Sequence, residues 1–150
     1  MKWNVSAAER PSGKRPNQDR HLVRNLACGA ICAAVLDGHG TSNDAVDHVF
    51  RRLPELIGNA GNIAEAEPFL RSVYTTLAEE TSDCQSGTTC SLALLYPNGH
   101  VTSAVLGDSP IIARRDAKNL FVSEEHNIRS NARERRAAKA RGGVCGFGYL

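Results

Sequence analysis

The sequence predicts an α+β domain built on a mostly antiparallel sheet, and three observations carry that prediction. Strand-like segments come first, two helical periodicities follow, and more strand-like segments and a last helix close the chain, so the element classes are grouped rather than alternated. The later strand-like segments are joined by Pro97-Asn98-Gly99 and by Asp116 to Asn119, short turn sequences of the kind that link antiparallel neighbours. A length of 150 residues is that of one domain. A parallel, doubly wound sheet is disfavoured.

Taken in order, Trp3 to Ala7 and His21 to Asn25 read as short strands, separated by a polar loop in which Pro11, Gly13 and Pro16 stop either one. Ala30 to Leu36 is an unbroken apolar run, too short for a helix and ended by Asp37-Gly38, the pattern of a strand buried on both faces. The Thr41-Ser42-Asn43 cluster offers helix N-caps, after which Val46, Val49, Phe50 and Leu53 recur at three- and four-residue steps, with Pro54 near the helix end. Leu70, Val73, Tyr74 and Leu77, led in by Pro68, mark a second helix with Glu79, Glu80 and Asp83 toward solvent. The period then falls to two over Thr88 to Tyr96 and His100 to Leu106, a hairpin whose Asn-Gly turn accepts positive φ. Ile111 to Arg114 and Leu120 to Ser123 form a second hairpin, and the Arg-rich Ile128 to Arg141 reads as a helix ending at Gly142-Gly143.

Composition limits the function classes. Leu, Ile, Val and Phe number 33 of 150 residues, so the core is expected to be thin. A net charge of +2 excludes a chain that binds polyanions as a whole. Residues 114–141 carry nine basic and four acidic side chains, which admits an RNA-binding helix but fits better a solvated amphipathic one touching the sheet through Ala132, Ala137, Ala138 and Ala140. No nucleic-acid partner is expected. The longest apolar run is far short of the roughly 20 residues that cross a bilayer, and the N-terminus has no apolar leader segment. The expected address is the cytoplasm, with the nucleus as the alternative and no membrane contact. Cys28, Cys32, Cys84, Cys90 and Cys145 match neither a disulfide framework nor a zinc knuckle and read as reduced fillers of small buried positions.

Three acidic residues sit where a strand-like segment meets a loop: Asp19 after Asn17-Gln18, Asp37 before Gly38, and Asp108 in Gly107-Asp108-Ser109. Each alone reads as a turn residue, but loops on a rigid scaffold are where sites are built, and the conjunction carries weight. A carboxylate leaving a strand beside an unshielded glycine carbonyl presents two hard oxygens to a cation such as Mg²⁺ or Mn²⁺. His39 is placed either as a surface imidazole or where a proton must reach a leaving oxygen. Lys14 and Arg15 read as solvated charges, or, beside a metal-gathering pair, as a grip on phosphate oxygens. Ser86-Gly87-Thr88-Thr89 lacks a base for a nucleophilic serine and reads as a turn with Thr hydroxyls as supporting hydrogen-bond donors.

Asn17-Gln18-Asp19, Ala34-Val35-Leu36-Asp37-Gly38-His39-Gly40, Ser86-Gly87-Thr88-Thr89, Val105-Leu106-Gly107-Asp108-Ser109, Glu125-His126-Asn127 and Gly142-Gly143-Val144 occur in the order and approximate spacing of the metal-dependent protein phosphatases, type 2C. The sequence resembles that family over nearly its whole length. The resemblance implies an α-β-β-α sandwich, two stacked antiparallel sheets flanked by helices, and a Ser/Thr phosphatase that uses two Mg²⁺ or Mn²⁺ ions to activate a water. By position, Asp37 matches the aspartate that bridges the two ions, and Gly38 the residue whose carbonyl binds one of them. Asp19 matches an outer carboxylate, Asp108 a ligand of a further, weaker metal, and His39 the general acid; Lys14, rather than Arg15, sits five residues before Asp19, at the spacing of the phosphate-gripping Arg, with Arg15 one residue off it.

Gln18 stands where many members have Glu, and residues 145–150 hold no counterpart of the family's two further metal-binding aspartates. The expectation is therefore a partial type 2C domain over residues 1–150 with weak metal binding. A pseudophosphatase that uses its cleft for recognition is the alternative. The phosphoprotein substrate, the physiological metal and the oligomeric state are left open by the sequence.

Overall fold

The computed structural model describes residues 2–8, 17–61 and 63–142. Its central element is β2 (Ile31–Gly40), in which Cys32, Ala34, Leu36 and Gly38 point inward and are buried while Val35 on the opposite face is 52% exposed. β1 (Asp19–Asn25) pairs with one side of it, running antiparallel from Asp19 opposite Asp37 to Asn25 opposite Ile31. The chain between Gly40 and the next strand forms α1 (Asp44–Ile57), a 3₁₀ turn (Ile63–Glu65) and α2 (Ala66–Glu80). β3 (Ser86–Thr88) then pairs with the far end of β2, and β4 (Cys90–Leu95) with its middle, Val35 opposite Ser91. β5 (Val101–Leu106) completes an antiparallel sheet of order β1-β2-β4-β5, with β3 off that path. A separate hairpin, β6 (Ile112–Arg115) and β7 (Lys118–Val122), and α3 (Ala132–Ala140) follow.

This is the expected α+β class: among the described residues, antiparallel sheets and three α-helices, no helix being long and apolar enough to cross a membrane. The described residues supply one helix layer and one large sheet. The apolar stripes of α1 and α2, with Val46, Val49, Leu53, Ile57, Leu70, Val73 and Leu77, pack on Cys32, Ala34, Leu36, Leu92 and Leu94. Fully burying a Leu or Ile side chain stabilises by roughly 1.5–3 kcal/mol, and Leu36, Leu53, Ile57, Leu70, Leu92 and Leu94 are all closed off. Tyr74 of α2 ties the layers together, its hydroxyl 2.9 Å from both the Cys90 and the Ala104 carbonyl, so one proton is shared between β4 and β5.

Several expectations are corrected. Residues 3–7 are not a strand; Trp3 Nε1 donates to the Tyr96 carbonyl at 2.8 Å, and Val5, Ser6 and Ala7 border a groove of about 320 Å³ on the exposed sheet face. Asp37-Gly38 does not end β2, because β1 pairs with it as far as Asp37 and β3 from Gly38 through Gly40. Nor is β2 buried on both faces: its apolar alternation was hidden because the open face is itself apolar, with Ala33 and Val35. The segment Thr88 to Tyr96 divides at Thr89 into β3 and β4, and the last helix begins only at Ala132, where Asn131 caps it by accepting from the Arg133 and Glu134 amides. Cys32 and Cys90 are buried fillers, but Cys28 is exposed. Lys14, Arg15, Gly143, Val144 and Cys145 lie outside the described residues.

Candidate active site

Asp19 and Asp37 face each other across the β1–β2 ladder, which puts their carboxylates on one side of the sheet as cross-strand neighbours. The Asp37 carboxyl is held above its ordinary value of 3.8 by burial first, then by the charges of Asp19 and Asp108, with His39 opposing; it also shares a hydrogen bond with Asp19. Two carboxylates so placed need a proton or a cation between them. Hard anionic oxygens are the donor set that Mg²⁺ and Mn²⁺ take, so the pair fits such an ion. Among the described residues no group of three or more His, Cys, Asp or Glu side chains closes around a common point.

Asp37 sits on a ridge between two hollows. One, of about 430 Å³, is bordered by Asp37, His39, Asp108, His126, Asn127 and Arg129. The other, of about 470 Å³, is bordered by Asp37 with Asp19, Arg20, His21 and Ser109. Asp37, His39 and Asp108 thus share a cleft, and Asp19 reaches Asp37 from the adjoining one.

The main chain around Asp37 is fixed from β4. Its amide donates to Thr89 Oγ1 at 3.0 Å, and the Thr89 amide returns a bond to the Asp37 carbonyl at 2.9 Å. Thr89 Oγ1 also hydrogen-bonds with Ser109 Oγ 3.1 Å away, one residue past Asp108, either hydroxyl being able to donate. Gly107 is required at this crossing: its φ is +99°, and a Cβ there would stand 2.7 Å from Thr89 Cγ2. The supporting hydroxyls expected in Ser86-Gly87-Thr88-Thr89 are therefore present, although Thr89 Oγ1 acts on Asp37 as acceptor. Thr88 Oγ1 approaches the Asp37 carbonyl at 3.3 Å.

Asp108 is oriented by Asn127, whose Nδ2 donates to Asp108 Oδ2 at 2.8 Å, while the His126 amide donates to the Gly107 carbonyl at 2.9 Å. Asn127 Oδ1 in turn accepts from the Arg129 amide at 2.8 Å, and Arg129 borders the same cleft as His39 and Asp37. Composition alone does not single out Arg129 from its basic neighbours; the Asn-x-Arg turn is the signal that finds it.

Gln18 is turned away from the carboxylates. Its Nε2 donates to the Ser42 carbonyl at 2.8 Å and to Asn43 Oδ1 at 2.9 Å, and its own carbonyl accepts from the Gly38 amide at 3.2 Å. A carbonyl partner demands a donor, so the amide in place of Glu anchors the start of β1 to the loop before α1. Two residues on, Arg20 pairs with Asp47 of α1 at 2.6 Å.

No family model matches this chain. In sequence it is similar to the probable protein phosphatase 2C 56 of Oryza sativa subsp. japonica, 28% identical, over 98% of this chain and 44% of that protein. In structure it is similar to the serine/threonine phosphatase Stp1 of Staphylococcus aureus, with TM-score 0.66 and 18% identity over 91% of this chain and 56% of that one. A bacterial serine phosphatase gives TM-score 0.67 at 19% identity over 89% and 56% of the two chains. The S. agalactiae serine/threonine phosphatase gives 0.64 at 17% over 93% and 59%. The fold is thus that of the bacterial serine/threonine phosphatases. In sequence the chain is similar to a probable type 2C protein phosphatase. The chain spans less than half of the rice protein and just over half of the solved ones.

Proposed function

We propose that this chain is a partial type 2C phosphatase domain that hydrolyses phosphoserine and phosphothreonine in cytoplasmic phosphoproteins. The observation that carries the reading is the Asp19–Asp37 pair, opposed across one ladder and placed beside the cleft that holds His39 and Asp108. Asp37, Asp19 and the Gly38 carbonyl would hold Mg²⁺ or Mn²⁺, with Asp108 as a further ligand. Bound there, such ions supply an activated water and neutralise charge on the phosphoryl group.

The chain's own residues do the rest. His39, on the cleft wall, delivers a proton to the departing serine or threonine oxygen. Arg129, which borders the same cleft, presents a guanidinium to phosphate oxygens, for which its planar pair of donors is suited. Lys14 and Arg15 remain proposed partners of the same phosphate. Thr89 and Asn127 fix Asp37 and Asp108, so little reorganisation is needed when substrate arrives.

Release of phosphate from a phosphoserine peptide in millimolar Mn²⁺ tests this. Activity that disappears in Asp37→Asn supports the reading, and a folded chain without activity counts against it. The second reading, a pseudophosphatase used for recognition, is favoured by the absence of a closed three-ligand cluster among the described residues. It expects phosphopeptide binding that survives Asp37→Asn.

A further inference from the structure

We infer that Asp44 is a positioning residue for His39, acting through Ser86 and Gly87 of β3. The inference rests on the reading of His39 as proton donor, and it begins from how the imidazole is seated. His39 lies opposite Gly87 in the β2–β3 ladder, and a Cβ on Gly87 would stand 2.4 Å from His39 Cε1 and 2.6 Å from Nε2. The ring therefore lies directly on bare main chain, and its placement follows that of β3.

β3 is only three residues long and, among the described residues, pairs with β2 alone. Such a short strand gains little from its own ladder, so something else must hold it. Asp44, the first residue of α1, does so. Its Oδ1 accepts from Ser86 Oγ, from Ser42 Oγ at 2.6 Å and from the Ala45 amide at 2.9 Å, and its Oδ2 accepts from the Gln85 amide at 2.9 Å. Ser86 Oγ also accepts from the Ala45 amide at 3.2 Å. Asn43 makes no side-chain cap, so this carboxylate takes over the helix N-terminus, where negative charge is favoured, and spends its remaining acceptors on the two residues that lead into Gly87. The same hydrogen bonds hold its carboxyl far below the ordinary carboxylate range, so it is ionised throughout the working range of pH. The junction has no slack: Gly40 has φ +107°, and a Cβ there would be 3.1 Å from Ser86 Cα.

The chemistry gives a selective readout. A serine alkoxide is a poor leaving group and needs its proton in the transition state, whereas nitrophenolate leaves without one. In Asp44→Ala, kcat for a phosphoserine peptide should fall about 10-fold or more, kcat for p-nitrophenyl phosphate should stay within about twofold, and KM should change little for either. Ser86→Ala should shift the same ratio in the same direction by less, and it carries the test if Asp44→Ala does not fold. Independently of activity, the nuclear Overhauser contact expected in the parent chain between His39 Hε1 and the Gly87 Hα protons should be lost in Asp44→Ala. Equal losses on both substrates, or a retained contact, would overturn the inference. If the parent chain hydrolyses neither substrate, the phosphatase reading fails, and the Overhauser contact alone decides whether Asp44 seats the ring.

Discussion

Gly38→Ala tests whether the backbone at the head of β2 is as crowded as the structure has it. A Cβ at this buried position would lie 2.6 Å from the Gln18 carbonyl oxygen and 3.0 Å from both Gln18 Cβ and Val46 Cγ1. The nearest obstacle is main chain, fixed by the Gly38 amide bond to that same oxygen at 3.2 Å, so it cannot swing aside. Overpacking of this kind costs roughly 1–3 kcal/mol, and stretching the hydrogen bond about 1 kcal/mol more. Stiffening the unfolded chain returns roughly 0.4–1 kcal/mol. The expected net loss is about 1–3 kcal/mol, or about 3 to 10 °C in Tm for a domain of this size. Differential scanning calorimetry reads it directly. A Tm within about 1 °C of the parent would refute the crowding argument. Relieving the clash also displaces Asp37, and a 1 Å misplacement can cost about 10²-fold in rate, so activity should fall with stability.

Asp37→Asn should raise the melting temperature of the metal-free protein at neutral pH while removing activity. The folded carboxyl titrates above 3.8, so the native state binds the proton more tightly than the unfolded chain, and stability declines as pH rises from 3.8 through that raised value. The neutral amide loses this decline, and melts across that range should show a flatter curve; an unchanged pH dependence would contradict the convergence of Asp19, Asp37 and Asp108. Arg129→Ala should raise KM for a phosphopeptide about 3- to 10-fold with a smaller effect on kcat, because an exposed guanidinium contributes modestly to holding a dianion. Steady-state kinetics with phosphopeptide decides this, and an unchanged KM removes Arg129 from the phosphate site.

The element order and the antiparallel sheet could be read from the chain because hydrophobic period and turn chemistry are local. The helical steps Val46-Val49-Leu53 and Leu70-Val73-Leu77 mark the buried stripes of α1 and α2, and Pro97-Asn98-Gly99 lies at the β4–β5 reversal. The end of β2 could not be read, since Asp37-Gly38 has turn composition and only the partners β1 and β3 keep it extended. Residues 3–7 have strand composition but no strand partner among the described residues.

The site divides in the same way. Asp19, Asp37, His39 and Asp108 stood out as polar residues at strand ends, but that Asp19 faces Asp37 depends on register, which sequence spacing does not give. The supports were the least visible. Thr89, Asn127 and Asp44 act through hydrogen bonds to residues 52, 19 and 42 positions away, and nothing in their immediate neighbours announces it. Gln18 looked like a lost charge and is instead a donor to the loop before α1.

The central claim is that Asp37 and its neighbours form a divalent-cation site at one end of this sheet. Titration calorimetry of Mn²⁺ into the chain and into Asp37→Asn tests it most directly. Saturable binding in the parent that vanishes in Asp37→Asn is the expected result; equal heats from both proteins, or none from the folded parent, would contradict the account.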